Sequence, residues 1–121
     1  MNDVQMRLVL LAQPDLAALI GERLYPVTLP QGATLPAMTY QVISGATEGD
    51  SQSGAGIPRR RYQFDCWGAT YSDAVAVALA LLTAVNGTSR IGQASFLDNE
   101  VDSYEPETQR WRRIVDVMVW R

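Results

Sequence analysis

Histidine and lysine are missing from this chain altogether, and cysteine occurs once, at Cys66. Each gap closes off a kind of chemistry. Without histidine, general acid–base work falls to carboxylates, tyrosine or the single thiol. One cysteine excludes an intramolecular disulfide and a cysteine-based zinc site. As a nucleophile, Cys66 has no histidine base to activate it; on the apolar side of its strand it reads as a small buried hydrophobe. The missing lysine also removes a phosphate cradle, since Gly45, Gly49, Gly54 and Gly56 match neither a P-loop nor a dinucleotide fingerprint. Long apolar runs are lacking too. The longest, Ala74 to Leu82, is far too short to span a bilayer, and Met1-Asn2-Asp3-Val4 has neither the basic start nor the apolar run of a secretory signal. The expectation is a soluble, cytosolically made chain with no membrane contact, no cofactor, no metal and no catalytic residue.

What is present fits one domain spanning residues 1–121, with 47% hydrophobic and 19% charged residues. The net charge of −3 argues against a globally basic nucleic-acid binder while leaving room for a local basic patch. All the basic residues are arginine, whose planar fork suits fixed contacts between protein surfaces; a GC-rich genome produces the same bias.

Asn2 or Asp3 caps a first helix in which Val4, Leu8 and Leu11 recur at helical spacing. Gln13-Pro14-Asp15 interrupts it, and a second short helix runs from Asp15 to Ile20 with Gly21 as its stop. From Tyr25 the prolines at 26, 30 and 36 exclude both helix and paired strand. This arm lies either across a neighbouring surface or around its own domain. Met38–Ile43 and Arg60–Trp67 alternate as half-buried strands: Met38, Tyr40, Val42 in one, Tyr62, Phe64, Cys66 in the other. The connection from Gly45 to Ile57, rich in Gly and Ser, reads as a flexible loop of a length that tends to be functional. Ser72 caps a helix from Asp73 to Val85, with a stripe of Val75, Leu79 and Leu82 and no charge after Asp73. A helix apolar all round has to be covered on more than one side. Ile91–Val101 reads as a third strand, Asp102–Thr108 as an acidic turn, and Trp111–Trp120 as a fourth strand. The fold class is therefore α+β: a four-stranded, mainly antiparallel sheet of two hairpins, helices on one face, in the order α-α-β-β-α-β-β.

Two constellations invite a chemical reading. Asp65 and Asp116 sit mid-strand, where paired carboxylates share a proton or bind a metal; salt bridges to Arg61 or Arg113 are the plainer use. Arg59, Arg60 and Arg61 precede Tyr62 and Phe64, a pattern open to phosphate contact. Against that stand the net negative charge and the strand alternation that buries both aromatics. Ion pairs with acidic residues of this chain or of a neighbouring subunit suit these arginines better.

Taken in order, several stretches resemble the phage tail completion proteins, the tail terminators of long-tailed phages and related gene transfer agents. They are Leu16-Ala17-Ala18-Leu19-Ile20-Gly21-Glu22-Arg23-Leu24-Tyr25-Pro26, then Pro36-Ala37-Met38-Thr39-Tyr40-Gln41, the Gly/Ser loop, Tyr62-Gln63-Phe64-Asp65-Cys66-Trp67, the alanine-rich helix and Arg113-Ile114-Val115-Asp116-Val117-Met118-Val119-Trp120. The resemblance implies a structural virion protein, a homo-oligomer closing as a hexameric ring on the head-proximal end of the tail tube after assembly in the host cytoplasm. Such a ring ends tube polymerisation and presents the head-tail joining surface, while DNA passes its lumen without sequence-specific binding. The expected partners are the tail tube protein and a neck or head-closure protein. On this reading the helix and a sheet edge make the contact between subunits. The loop residues Glu48, Asp50, Ser51, Gln52 and Ser53 face the tube or the head side, and Arg59, Arg60 and Arg61 supply inter-subunit ion pairs. The alternatives are a neck or head-closure role, a stand-alone ligand-binding α+β domain, and a metal-dependent hydrolase built on Asp65 and Asp116.

Overall fold

The computed structural model describes residues 1–48 and 57–120. Three helices and five strands follow in the order α1 (Asp3–Leu11), α2 (Pro14–Ile20), β1 (Leu24–Pro26), β2 (Ala37–Glu48), β3 (Ile57–Gly68), α3 (Tyr71–Val85), β4 (Ala94–Glu105) and β5 (Arg110–Trp120). The α+β class is as expected, but the sheet is five-stranded and mixed, in the order β1-β2-β3-β5-β4. The extra strand is β1, which runs parallel to β2 with Leu24 opposite Met38 and Pro26 opposite Tyr40. Proline reads as a break in sequence, yet here it ends an edge strand, where a missing N–H need cost no ladder bond. Leu24 is fully buried, and the Arg23 guanidinium fastens the strand by donating from Nε to the Pro36 carbonyl at 2.9 Å.

The helices cover one face of the sheet. Met6, Leu10, Leu16 and Ile20 of α1 and α2, with Val77 and Leu81 of α3, form a single core with Phe64, Val115 and Val117. The chain between β1 and β2 returns over the opposite face, where Leu29 closes on Ala37 and Trp67 with Tyr25, Ala33 and Leu35 around them. The proline-rich arm thus wraps its own domain.

Helix ends follow local chemistry. Asn2 and Gln5 form a reciprocal capping box on α1. Pro14 opens α2, and Gly21 closes it at φ +58, a left-handed angle that glycine adopts without Cβ strain. The cap of α3 is Thr70 and not Ser72: its Oγ1 accepts from the Asp73 N–H at 3.1 Å, so the helix begins at Tyr71. Gly68 lets β3 pass into that turn, because a Cβ there would meet the Ala74 nitrogen at 2.6 Å.

The helix faces differ from the sequence expectation. On α3 the buried residues are Ala74, Val77, Ala78, Leu81, Ala84 and Val85, while Leu79 is 58% exposed. The small alanines, and not the larger Val75–Leu79–Leu82 stripe, approach the sheet. On α1 it is Met6 and Leu10 that are buried, leaving Val4 at 68% and Leu8 at 60% exposure.

Both hairpins are longer than expected. Pairing of β2 with β3 continues to Glu48 opposite Ile57, so Gly45–Glu48 and Ile57 are strand and not loop. The remaining loop positions, Asp50, Ser51, Gln52 and Ser53 among them, lie outside the described residues. In the second hairpin β4 starts later than Ile91 and runs on through the expected acidic turn, with Asp102 opposite Arg113 and Glu105 opposite Arg110.

Candidate interaction surfaces

Register puts Gln63 opposite Asp116 and Asp65 opposite Ile114, so both carboxylates lie on the face away from the helices, as diagonal neighbours. Asp65 is buried and fully engaged. It accepts from Gln63 Nε2 at 2.9 Å and pairs with Arg112 at 3.2 Å, a different arginine from the two expected. Asp116 sits in a less favourable place. Burial pushes its carboxyl above the usual aspartate range, Asp98 and Asp65 push the same way, and Arg61 opposes them. Among the described residues its Oδ1 has no hydrogen-bond partner, and no three His, Cys, Asp or Glu side chains converge as a metal site. Burial drives the Cys66 thiol upward as well, which keeps it protonated and unreactive.

Beside Asp65 the sheet is closed by its own side chains. Trp67 donates from Nε1 to Thr39 Oγ1 at 3.1 Å. The guanidiniums of Arg112 and Arg110 stack over its ring at 4.9 and 5.1 Å, geometry that gains from the ring's negative face. Arg110 is held in turn by Glu105 at 3.3 Å.

Strand alternation splits the arginine run between two faces. Arg60 reaches Asp3 of α1 at 3.6 Å on the helix side, while Arg61 reaches Asp98 of β4 at 3.2 Å on the other. Arg59 stands opposite Trp120, and the Tyr62 hydroxyl donates to Asp3. No single face collects all three arginines.

A further cluster, which the sequence reading does not single out, lies where α3 begins beside the edge strand β4. Arg113 donates from Nε to Asp102 at 2.8 Å and from Nη2 to the Tyr71 hydroxyl at 2.8 Å, and that hydroxyl donates to Asp102 at 3.0 Å. The Arg113 bond, then that of Tyr71, holds the Asp102 carboxyl below the usual range despite its slight burial. Trp111 packs between Tyr71, edge-on at 5.6 Å, and Tyr104 at 4.5 Å. Glu100, Val101, Asp102 and Arg113 line a shallow hollow next to them. Trp, Tyr and Arg are the residue types that most often anchor protein contacts, and Tyr71, Tyr104 and Val101 are all exposed. The legible signal was there: an aromatic at a helix start, and a second hairpin bracketed by Tyr104 and Trp111.

The outer face of the second hairpin carries another apolar area. Phe96 is exposed and meets Trp120 edge-on at 6.1 Å, with Met118 and Ile114 half-buried beside them on β5. No described helix is long and apolar enough to cross a membrane.

The family profile described as tail completion protein gp17 matches residues 4–121. Among solved structures, a chain of the virion of a native gene transfer agent particle superposes with a TM-score of 0.70 at 18% identity, covering 95% of this chain and 90% of that one. No curated protein sequence matches significantly. At that identity the structural likeness speaks for the fold; the family match speaks for descent.

Proposed function

The chain belongs to the tail completion protein gp17 family, and from that premise we propose that it is a structural subunit of a phage-type tail, closing with its copies as a hexameric ring on the head-proximal end of the tail tube. There the ring ends tube polymerisation and offers the surface to which the head is joined. The observation that carries this reading is a family match running through nearly the whole chain. The surface supports it: exposed apolar residues occur on α1 and again on α3, and a ring held by head-to-tail contacts needs two different patches on each subunit. The other partners in this reading are the tube protein on one side and a neck or head-closure protein on the other. DNA passes through the lumen without being read. The stretch holding Glu48, Asp50, Ser51, Gln52 and Ser53 is assigned to the tube or the head side. The ring belongs to the finished virion and is put together in the host cytoplasm.

The test is the particle mass by light scattering across a concentration series, with and without the cognate tube protein. A hexamer, alone or on the tube, is expected, and tails assembled without the chain should have unregulated tube lengths by electron microscopy. A monomer at every concentration that ignores the tube overturns the reading. Binding to the neck protein alone reassigns the chain to head closure.

A further inference from the structure

The helix layer stops short of the sheet. α3 packs chiefly on β3 and β5, and α2 lies beside α3 and touches β2. β4, outermost in the order, takes the flank of α3 and, at its Ser95 end, the turn after that helix, where Thr88 bridges to Ser95. On that strand Glu100 stands opposite the buried Val115 and Asp102 opposite Arg113, so both carboxylates share the helix-side face, and both are exposed. The flank of α3 above them carries Tyr71, Val75 and Leu79, at the i, i+4 and i+8 positions of one stripe. The result is a trough with an apolar helix wall and a strand for a floor, on whose rim Glu100 stands beside the Asp102–Arg113 pair. Among the described residues Glu100 has no ion-pair partner.

At the other flank of the same layer, α1 turns Val4 and Leu8 to solvent, again at i and i+4. Its N-terminus lies against Arg60, 3.6 Å from Asp3 and 38% exposed. A guanidinium has five N–H donors, so contact with Asp3 leaves capacity for a second carboxylate. One flank is therefore apolar with Glu100 beside it, and the other apolar with Arg60 beside it.

We infer that the trough between α3 and β4 receives α1 of the next copy, with Val4 and Leu8 seated against Tyr71, Val75 and Leu79, and Arg60 turned toward Glu100. The contact continues the helix layer over the Glu100–Asp102 part of β4 and leaves the pair of subunits with one trough and one α1 still to fill. That is the heterologous geometry a closed ring requires. The inference rests on the ring reading above and goes beyond it by naming both halves of the contact.

The experiment uses two surface variants of the full chain, Leu79→Asp in the trough and Leu8→Asp on α1, each measured by light scattering under the conditions in which the wild type forms rings. Each variant alone should need at least about tenfold more protein to assemble, the effect of losing one desolvated apolar anchor. Mixed together, they retain one intact trough and one intact α1 between them. The mixture should give a particle of twice the monomer mass and nothing larger. Val75→Asp and Val4→Asp repeat the pair, so that one misfolded variant does not decide the result. Rings that survive both substitutions overturn the inference while leaving the ring reading standing. Variants that stay monomeric when mixed overturn it too, because the two patches then do not meet each other. A wild-type chain that never assembles, alone or on the tube, sinks the ring reading and the inference together.

Discussion

At one edge of the sheet β1 contributes three residues, parallel to its neighbour, ending on Pro26, with Leu24 fully buried. At the other, β4 contributes twelve, antiparallel, kinked by a bulge between Leu97 and Asn99, with Val101 and Phe96 exposed. An open edge strand is a template for other chains, and proteins blunt it with brevity, proline, bulges or charge. β1 uses the first two, and the arm between residues 27 and 36 finishes that side of the molecule. β4 uses a bulge and four acidic residues, Asp98, Glu100, Asp102 and Glu105, which discourage indiscriminate pairing while admitting a neighbour of opposite charge. One edge is completed by the chain itself; the other is left open and guarded by a bulge and charge.

The sharpest way to break that comparison is to truncate one apolar residue at each edge. Leu24→Ala should cost about 2–5 kcal/mol, as buried leucines do. Val101→Ala should stay within about 0.5 kcal/mol, as exposed positions do. Urea denaturation of the two variants measures both, and a costly Val101→Ala would mean that β4 is not open in the free subunit. A smaller loss is expected for Trp67→Phe, which keeps the contact with Leu29 but gives up the bond to Thr39 and the better ring for the two arginines. About 1–2 kcal/mol is a fair expectation, and a neutral result would mean that the arginine stack adds nothing beyond packing.

The smallest effects come from two aspartates on β4 and β5, and they should have opposite signs. Asp102 is held below its ordinary value of about 3.8, so its pairing stabilises the fold above that pH and fades as pH falls through the lowered value. Asp102→Asn should cost less than about 1 kcal/mol at neutral pH, because the pair is exposed and screened by salt, and nothing in strong acid. Asp116 is raised instead. Its charged form is the disfavoured one, so its penalty sets in as pH climbs from the ordinary value and is complete above the raised one. Asp116→Asn should therefore stabilise slightly at pH 7 and become neutral near pH 3. Parallel pH-dependent melts of both variants decide this; equal signs would mean that Arg61 outweighs burial at Asp116.

Much of this architecture is readable in the residues. The alternation of Met38 with Tyr40, and of Tyr62, Phe64 and Cys66, does mark the face toward the helices, because period-two patterning has a strict geometric meaning. The span of α3 was legible to within two residues, but its orientation was not. With no charge after Asp73, every side of the helix passes as a core side, and the choice between the alanine face and the Val75–Leu79–Leu82 stripe depends on how closely the sheet can approach. β1 is not legible in the sequence because three residues carry no period of their own; their pairing is decided by Leu24 being drawn into a core assembled from distant segments. The late end of β4 is hidden for the opposite reason. An edge strand exposed on both sides is polar throughout, so Asp102-Ser103-Tyr104-Glu105 has the composition of a turn and the backbone of a strand. The aromatic cluster around Trp111 depends on tertiary proximity between Tyr71 and two hairpin residues, Tyr104 and Trp111, that follow it more than thirty positions later.

Cys66 is fully buried on the helix side of β3, opposite Arg113. A maleimide or disulfide reagent can reach that sulfur only when the sheet separates from its helices, so the rate of modification at low denaturant reads out the rare opening of the whole core. The same seclusion makes the chain convenient for fluorescence work. A second cysteine placed on the surface would take a dye while Cys66 stays dark, and energy transfer between dyes on successive subunits could follow assembly one addition at a time.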